Sequence, residues 1–509
     1  MEDLAMSRQR PNILWITTDE QRFDCLGCYG NPVIHTPHMD RLAHEGVRFA
    51  RGYVQNPMCM PSRMALMTGR YCSEHGCNIN CVGLPPHEQQ HTFMQALQDA
   101  GYVTAAIGKM HMMPKWGPFG FTYLDLVEGK ADANNQYIEY LKARGLDGLQ
   151  HQAKGPVGPF GTYTQALPVE HTIDAFIGRR AVRWLERYDN QAPFFLWVSF
   201  CNPHFPFDPP EPYDTLYDPD EVPGPVWREG ELEAKPPQRQ LQRERGYDRL
   251  TERELREIIA HYYGNVTLVD DQIGRLLETL ERRGLLEGTM IAFTSDHGDL
   301  LGDHHLLHKS GVTFYDVTVR VPYIIRYPPL FTPGTVCDAP VESIDLPATT
   351  LDVAGVDPPP AMQGRSLVGL AEGDIDDWRE DAFSEIDLRL NPRMHGPLDP
   401  GSRDYVAMVC TREWKYVHFP HLGYGELYDL VNDPHELTNL FTDPAYADVL
   451  AEMQLRLLNR MMDNQRPYIG AQTRTFKEHY QADHRPPAPI PGVVYAPSEG
   501  PGRTHSSGE

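Results

Sequence analysis

The chain has 509 residues, of which 41% are hydrophobic, and a formal net charge of -24 at pH 7. This length allows a large core, and it favours one big domain with a smaller companion. The acidic balance argues against nucleic acid as a partner, because binding phosphate groups needs a basic surface. The longest apolar run, at residues 194–200, is far shorter than the roughly 20 residues of a membrane helix, so we expect no membrane partner.

The N-terminus and the cysteines predict the same compartment. The polar N-terminus lacks the apolar core of a signal peptide. Nine cysteines, an odd number, are more typical of reduced thiols than of a disulfide framework in a chain without an export signal. Cys25 and Cys28 form a C-x-x-C pair with no second pair at zinc-ribbon spacing, which favours a chance pair of thiols. We therefore expect a cytoplasmic protein.

Short apolar runs alternate with helical patterns along the first three quarters of the chain. Residues 12–18 (NILWITT) are typical of a buried strand that delivers Asp19 at its carboxyl end, the edge where open α/β sheets bind ligands. The other predicted strands are residues 103–107, 194–200, 290–295 and 319–327, and the longest predicted helix is 252–283. This alternation predicts an α/β fold with a large, mainly parallel sheet flanked by helices.

The pattern changes after about residue 375. Short predicted strands at 405–410 and 415–418 precede a predicted helix at 446–462, which indicates a smaller C-terminal α+β domain. The last stretch is rich in Pro, Gly and Ser, and its composition favours disorder over an arm on a partner subunit. We therefore predict a catalytic domain at 10–375, a smaller domain at 376–482 and a tail at 483–509.

The most specific segment is Cys59-Met60-Pro61-Ser62-Arg63, which opens a helical pattern. It resembles the signature of the type I sulfatases, whose motif cysteine is oxidised to formylglycine by a separate maturation enzyme. Other segments match the family in its own order: Asp19, Gly108-Lys109-Met110-His111, Asn202-Pro203-His204, Thr294-Ser295-Asp296-His297-Gly298, Lys309, Trp414-Lys415-Tyr416 and Glu426-Leu427-Tyr428-Asp429-Leu430. The resemblance covers residues 12–440 and implies an alkaline phosphatase-like fold.

The resemblance makes Cys59 the source of the nucleophile. An aldehyde at this position hydrates to a geminal diol, and one ionised hydroxyl can attack sulfur or phosphorus and expel the alcohol. Loss of the proton from the second hydroxyl re-forms the aldehyde and releases the inorganic anion. A thiol or a serine nucleophile has no such internal route to release the inorganic anion. The maturation enzyme is accordingly an expected partner.

The resemblance also implies one divalent metal ion, Ca²⁺ or Mn²⁺. Asp19, Asp296 and His297 are the expected ligands, because carboxylates and imidazole suit such an ion and both segments end predicted strands. Glu20 stands where many sulfatases have a second aspartate, and we consider it a further candidate. His297 stands where many sulfatases have asparagine, which resembles the phosphonate monoester hydrolase branch.

The remaining candidate residues would handle charge and protons around the nucleophile. Arg63 would hold the diol and the metal ligands through its guanidinium fork. Lys109 and His204 would neutralise the nonbridging oxygens of the substrate, and Lys309 would face the bridging or nucleophilic oxygen. The other candidates are His111, to orient the diol and take its proton, and Asn80, at an offset seen in phosphonate monoester hydrolases; His304, His305 and His308 are assigned a supporting role.

Three functions are compatible with these residues. The first is hydrolysis of a small anionic ester, an aryl or small organic sulfate. The second is hydrolysis of phosphonate monoesters or phosphate diesters, which His297, Asn80 and residues 302–307 favour. The third is an inactive binding protein, and the intact motif set argues against it. Residues 155–167 and 232–249 are predicted loops that shape the pocket mouth, and the tail after residue 483 predicts a homo-oligomer.

Overall fold

The computed structural model describes residues 10–80, 92–115, 117, 119–129, 135–373, 376–390, 404–464 and 494–495. Its central strand, β1 (Asn12–Asp19), pairs in parallel with one strand on each side. Leu14 and Ile16 pack into the core on one face of the sheet, whereas Ile13 and Trp15 pack into the core on the other. The alternation follows from the two-residue period of a strand.

Ten of the described strands form one large sheet. Besides β1, its strands are β2 (Val47–Tyr53), β3 (Val103–Gly108), β4 (Tyr123–Leu126), β5 (Phe194–Pro203), β6 (Thr289–Ser295), β7 (Arg320–Val321), β8 (Tyr323–Arg326), β9 (Thr335–Glu342) and β14 (Val494–Tyr495). Their order is β14-β4-β3-β5-β1-β6-β8-β2-β7, with β9 paired to β2. The pairs from β14 to β6 are parallel, and β8 is antiparallel to both of its neighbours. The predicted mainly parallel sheet is therefore confirmed.

Helices cover both faces of this sheet. The described helices of the whole chain are α1 (Pro37–His44), α2 (Cys59–Thr68), α3 (Cys72–His75), α4 (Phe93–Asp99), α5 (Gln136–Lys142), α6 (Ile173–Arg187), α7 (Pro236–Arg245), α8 (Glu252–Arg282), α9 (Asp316–Val319), α10 (Asp345–Ala354), α11 (Val368–Ala371) and α12 (Ala447–Asn464). The long helix α8 begins with a capping box, in which Thr251 and Glu254 satisfy each other's backbone N–H groups. None of the described helices combines the length and the apolar character needed to cross a membrane.

A second sheet follows the first in the chain. Its four described strands, β10 (Ala382–Asp387), β11 (Tyr405–Cys410), β12 (Trp414–Phe419) and β13 (Tyr424–Asp429), pair in sequence order and antiparallel. Helix α12 packs on this sheet through Met453 and Leu457. The C-terminal α+β unit predicted from the sequence is thus present.

Two predicted elements differ from the structure. The strand predicted at 319–327 is divided, because α9 ends at Val319 and Pro322, which has no N–H to donate, separates β7 from β8. The loop predicted at 232–249 contains α7, which starts at Pro236 and ends before Gly246 in the left-handed conformation. The predicted tail at 483–509 lies outside the described residues, except that Val494–Tyr495 pairs in parallel with β4.

Candidate active site

The predicted site residues converge at the carboxyl edge of the large sheet. Asp19 is the last residue of β1, Lys109 follows β3, and Asp296 follows β6. His204 follows β5, which lies between β3 and β1. Because these strands are parallel neighbours, their ends present four polar side chains to one space.

Cys59 enters this space from the first turn of α2. Its Sγ atom lies 3.0 Å from His297 Nε2 and 3.7 Å from Asp19 Oδ1, and the residue is 2% exposed. Asn80 does not contact Cys59 through a hydrogen bond; instead its Oδ1 accepts the N–H of Met60 at 2.9 Å. Asn80 thus satisfies one of the free N–H groups at the start of α2 and holds the turn that carries Cys59.

Four buried donor groups form a candidate metal centre. Ligand atoms of Asp19, Cys59, Asp296 and His297 all lie within 4.8 Å of one another. His297 Nδ1 is 2.8 Å from the carbonyl oxygen of Gly298, so we assign a proton to Nδ1. Nε2 faces the cluster, and it would bind a metal ion after losing its own proton. Two carboxylates and an imidazole fit a hard or borderline divalent cation.

Arg63 forms hydrogen bonds with both carboxylates of this cluster. Its Nε donates to Asp296 Oδ2 at 2.8 Å and Nη2 donates to Asp19 Oδ2 at 3.2 Å. Its Nη1 donates to the carbonyl of Lys109 at 2.6 Å and to Ser199 Oγ at 2.8 Å. The side chain is completely buried, so the guanidinium fixes both carboxylates rather than facing a substrate in solvent.

Three further basic side chains, two lysines and a histidine, lie around Cys59 and the neighbouring carboxylates. Lys109 Nζ forms an ion pair with Asp19. Lys309 Nζ and His204 Nε2 lie 2.8 Å and 3.4 Å from the same oxygen of Glu20. Glu20 is therefore bonded to two predicted substrate-binding cations, while its backbone N–H donates to Asp296 Oδ1 at 3.0 Å. Its second carboxylate oxygen is buried without a hydrogen-bond partner among the described residues.

The electrostatics of the site favour negative charge at residue 59. Burial alone would raise the pKa of the Cys59 thiol, but the charges of Lys309 and His297 hold that pKa well below its usual value. Burial would lower the pKa of His297, yet Asp296 and Cys59 raise it to about 10. Burial and the charge of Cys59 would raise the pKa of Asp19, but Lys109, His204 and Arg63 together outweigh them and hold that pKa well below its usual value. An anion at residue 59 is thus compensated by the groups around it.

His111 lies beside Cys59 and adds to the lowering of the thiol pKa, and its Nδ1 is buried without a hydrogen-bond partner among the described residues. Its backbone lies in the left-handed region, with φ 52°. The N–H of His111 donates to Glu128 Oε2 at 2.8 Å, and the N–H of Met110 donates to the other oxygen of that carboxylate at 3.3 Å. Glu128 therefore holds a strained turn that presents the imidazole to the site.

Three supporting residues were missed by the sequence analysis. Ser199, which accepts a hydrogen bond from Arg63, lies at the end of a predicted strand and was identifiable from that position. Ser62 Oγ donates to the carbonyl oxygen of Asp296 at 2.5 Å, and it belongs to the motif itself. Glu128 follows β4, which was not predicted, so the sequence offered no signal for it.

The three histidines before Lys309 have different surroundings. His304 is buried and stacks on Tyr315 with ring centroids 3.7 Å apart. His305 stacks on Trp227 at 4.5 Å. Of the three, only His308 lies beside Glu20: its N–H donates to Asp299 Oδ1 at 3.2 Å, and ligand atoms of Glu20, Asp299 and His308 lie within 4.8 Å of one another. The predicted supporting role is therefore structural for the first two.

Comparison with known proteins gives consistent matches over the chain. The family model described as Sulfatase matches residues 11–356, and the model described as N-sulphoglucosamine sulphohydrolase, C-terminal, matches residues 302–463. An arylsulfatase of Clostridium perfringens is 30% identical, with 90% of this chain and 96% of that protein covered. The multifunctional alkaline phosphatase superfamily protein PehA of Trinickia caryophylli is 31% identical, with coverages of 88% and 95%.

A solved structure resembles the whole fold. The phosphonate monoester hydrolase of Silicibacter pomeroyi superposes with a TM-score of 0.78 at 28% identity, over 91% of this chain and 99% of that one. The large sheet with flanking helices and the second antiparallel sheet are therefore an alkaline phosphatase-like arrangement.

Proposed function

Because the chain belongs to the sulfatase family, we propose that it hydrolyses sulfate monoesters of aryl or small organic alcohols, with formylglycine at position 59 as the nucleophile. One observation carries this proposal: Cys59 belongs to a buried set of metal-binding groups and lies within the field of Lys109 and Lys309, with His204 beside them at Glu20. Such an arrangement compensates a nucleophilic anion on one side and an anionic ester on the other. A structural cysteine in an apolar core would have neither neighbour.

The metal site proposed here uses Asp19, Asp296 and His297. A divalent ion held by these groups would lower the pKa of a hydroxyl at position 59 and offset charge on the ester. Arg63 keeps the two carboxylates in place through its bonds to both. Ca²⁺ and Mn²⁺ both suit this donor set, with Mn²⁺ favoured by the imidazole.

The aldehyde form of residue 59 supplies a hydrated, self-releasing oxygen nucleophile. The chain's own residues then have distinct tasks. His111 is placed by Glu128 to orient the hydroxyls and to accept a proton at its imidazole. Lys109 and His204 neutralise the nonbridging oxygens of the ester. Lys309 stabilises the negative charge on the nucleophilic oxygen or on the bridging oxygen that leaves with the alcohol.

A second activity, on phosphonate monoesters or phosphate diesters, is favoured by His297 in the metal cluster and by the structural similarity to a phosphonate monoester hydrolase. These esters carry one negative charge, as sulfate monoesters do. The cations near Cys59 are largely paired with Asp19 and Glu20. We therefore expect monoanionic esters to be preferred over phosphate monoesters, which are nearly dianionic at neutral pH.

The test is a comparison of kcat/KM on four nitrophenyl substrates: a sulfate, a phosphonate monoester, a phosphate diester and a phosphate monoester. The proposal predicts that the sulfate is the best substrate, that the next two are turned over, and that the phosphate monoester is the poorest. A phosphate monoester with the highest kcat/KM would contradict the charge argument. A phosphonate or diester with the highest value would assign the second activity as the main one.

A further inference from the structure

The open side of the site is bordered by aromatic rings. Asp19, Asp296 and His297 on the metal side have no exposed surface. By contrast, the His204 side chain is 32% exposed, and Phe205 is 39% exposed. An ester whose acidic group lies against the cations must direct its alcohol part toward this exposed side, because the opposite side is closed.

Two of these rings belong to residues that adjoin the proposed substrate-binding residues in the chain. Phe205 follows His204 in the chain, and His308 precedes Lys309. Lys309 and His204 converge on one oxygen of Glu20, and the rings of Phe205 and His308 pack edge to face with centroids 4.8 Å apart. The ring pair therefore lies directly beside the place where the acidic group of the ester would bind.

Other rings pack against this pair, and two of them, Phe207 and Tyr247, are buried. Phe207 lies 5.9 Å from Phe205, and Tyr247 lies 6.5 Å from His308. Phe160 packs on Tyr247 at 5.3 Å. We call Phe160, Phe205 and His308 the aromatic rim, and the buried rings of Phe207 and Tyr247 support it from behind. Phe160 and Tyr247 come from residues 155–167 and 232–249, the two segments that the sequence analysis expected at the pocket mouth.

The rim is held in place rather than loosely exposed. A Cβ atom at Gly161 would lie 3.2 Å from the ring of Phe205, so only glycine lets this loop rest on the ring. On the other side, the N–H of His308 donates to Asp299 Oδ1 at 3.2 Å, and His308 Nδ1 lies 3.8 Å from Asp299 Oδ2. The ring pair is thus supported from both sides and needs little reorganisation to receive a flat group.

We propose that the aromatic rim binds the leaving group of the ester, that this group is aromatic, and that the Phe205–His308 ring pair determines this specificity. The inference rests on the proposed function and deepens it. Rings prefer offset or edge-to-face contact with another ring, which a flat aryl leaving group makes with Phe205 and a sugar or a small alkyl group does not. Phe205 is accordingly a specificity-determining residue beside the reacting atoms.

The experiment compares phenyl sulfate with a fluorinated alkyl sulfate whose alcohol has the same pKa as phenol, so that intrinsic reactivity is matched. The variants are Phe205→Leu, which removes the ring, and Phe205→Tyr, which keeps it. Leu422→Ala, an exposed apolar truncation on the second sheet, is the control. All kcat/KM values are divided by the fraction of chains that carry the aldehyde.

We expect Phe205→Leu to lower kcat/KM for phenyl sulfate by about threefold to tenfold, mainly through KM, and to change the alkyl ester less than twofold. In Phe205→Tyr and Leu422→Ala, we expect the ratio of kcat/KM for phenyl sulfate to kcat/KM for the alkyl sulfate to stay as in the unsubstituted enzyme. Two results would overturn this inference and leave the proposed function standing. One is an unchanged ratio in Phe205→Leu. The other is that the unsubstituted enzyme turns over a monosaccharide sulfate better than phenyl sulfate. No turnover of any sulfate by aldehyde-bearing enzyme would overturn the proposed function and this inference with it.

Discussion

Arg63 shows how a single side chain sets the geometry of the site. It is fully buried and bonds to Asp19, Asp296, Ser199 and the backbone of Lys109. A buried guanidinium is costly unless every N–H finds a partner, and two of its partners here, Asp19 and Asp296, are groups that would bind the metal. The carboxylates are therefore positioned before any ion binds, so the free energy of metal binding is not reduced by the entropy cost of ordering them.

Asp296→Asn should remove the metal and the activity without unfolding the protein. The amide oxygen can still accept the N–H groups of Glu20 and His297 that now bond to Oδ1, but the charge opposite Arg63 is lost. We expect bound metal, measured by mass spectrometry of the elements, to fall from about one ion per chain, and kcat/KM to drop by at least about 100-fold. Asp338→Asn, at a half-exposed carboxylate, is the control. An unchanged metal content would refute the assignment.

The site residues that the sequence predicted share one property: each belongs to a motif or follows a predicted strand. Cys59, Asp19 and Asp296 were identified in this way. Glu20 was predicted as a further candidate metal ligand, and it lies between two clusters: its carboxylate contacts Lys309 and His204, and its ligand atom also lies within 4.8 Å of those of Asp19 and His204. Such a choice between two neighbouring charge clusters depends on side-chain reach in three dimensions, which spacing along the chain does not encode.

At the scale of elements, helix α8 is joined to α1 by a buried carboxylate. Asp270 accepts the N–H groups of His38 and Met39 at 3.1 Å and 2.8 Å, in the first turn of α1. Burial raises the pKa of Asp270 to about 7, and the like charges of Asp271 and Asp40 add to this effect. The folded protein thus contains a carboxyl group that is protonated in weak acid and costly to ionise at neutral pH.

This carboxyl predicts a stability that falls between about pH 4 and pH 7. An aspartate in the unfolded chain titrates near pH 4, so in this window the folded state binds the additional proton, and its stability decreases as the pH rises through the raised pKa. Asp270→Asn keeps an acceptor oxygen and removes the titration. In urea unfolding we expect the two proteins to be similar at pH 5, and Asp270→Asn to be more stable by on the order of 3 kcal/mol at pH 8. Parallel pH profiles would contradict this origin.

Elements with a regular apolar pattern were predicted well, and irregular ones were not. The strand at 194–200 is confirmed within β5, and the helix at 252–283 agrees with α8 to one residue. In contrast, α7 carries polar residues around most of its surface, and its buried residues include Pro237 and Gln238. Gln238 bonds to Glu426 on the second sheet, so tertiary contacts rather than an apolar stripe stabilise this helix.

At the scale of the whole molecule, the two sheets are linked by a buried lysine. Lys415 on β12 has no exposed surface, and its Nζ lies 2.6 Å from Asp316 and 2.6 Å from Glu436. It also donates to the carbonyl oxygen of Phe314 at 3.1 Å. Asp316 begins α9, in the segment that follows Lys309 in the chain, so the second sheet supports a segment adjoining this proposed substrate-binding residue.

Lys415→Met should therefore destabilise the whole molecule. Removal of one partner leaves Asp316 and Glu436 as neighbouring buried carboxylates, with an expected cost of about 3 to 5 kcal/mol. Guanidinium unfolding followed by tryptophan fluorescence and by loss of turnover should give a single shifted transition. Lys142→Met, which breaks an exposed pair with Glu139, should change stability by less than about 1 kcal/mol. Equal effects of the two substitutions would contradict the role of Lys415.

The overall architecture was predictable because strands and helices alternate through most of the chain and then give way to short strands. The boundary at residues 375 and 376 and the homo-oligomer stay predictions. The pairing of Val494–Tyr495 with β4 was not predictable, because two residues at the edge of a sheet have no periodic pattern of their own.

The central claim is that residue 59 acts as an aldehyde rather than as a thiol. Peptide mass spectrometry of active enzyme should show the segment around Cys59 with an aldehyde in place of CH2SH, trappable by hydroxylamine, and specific activity should rise in proportion to that fraction. Enzyme made without the maturation enzyme should be folded, should bind metal and should be almost inactive. Cys59→Ala, the matched control, should bind metal and lack turnover. Full sulfate hydrolysis by enzyme whose Cys59 is entirely unmodified thiol would contradict the account.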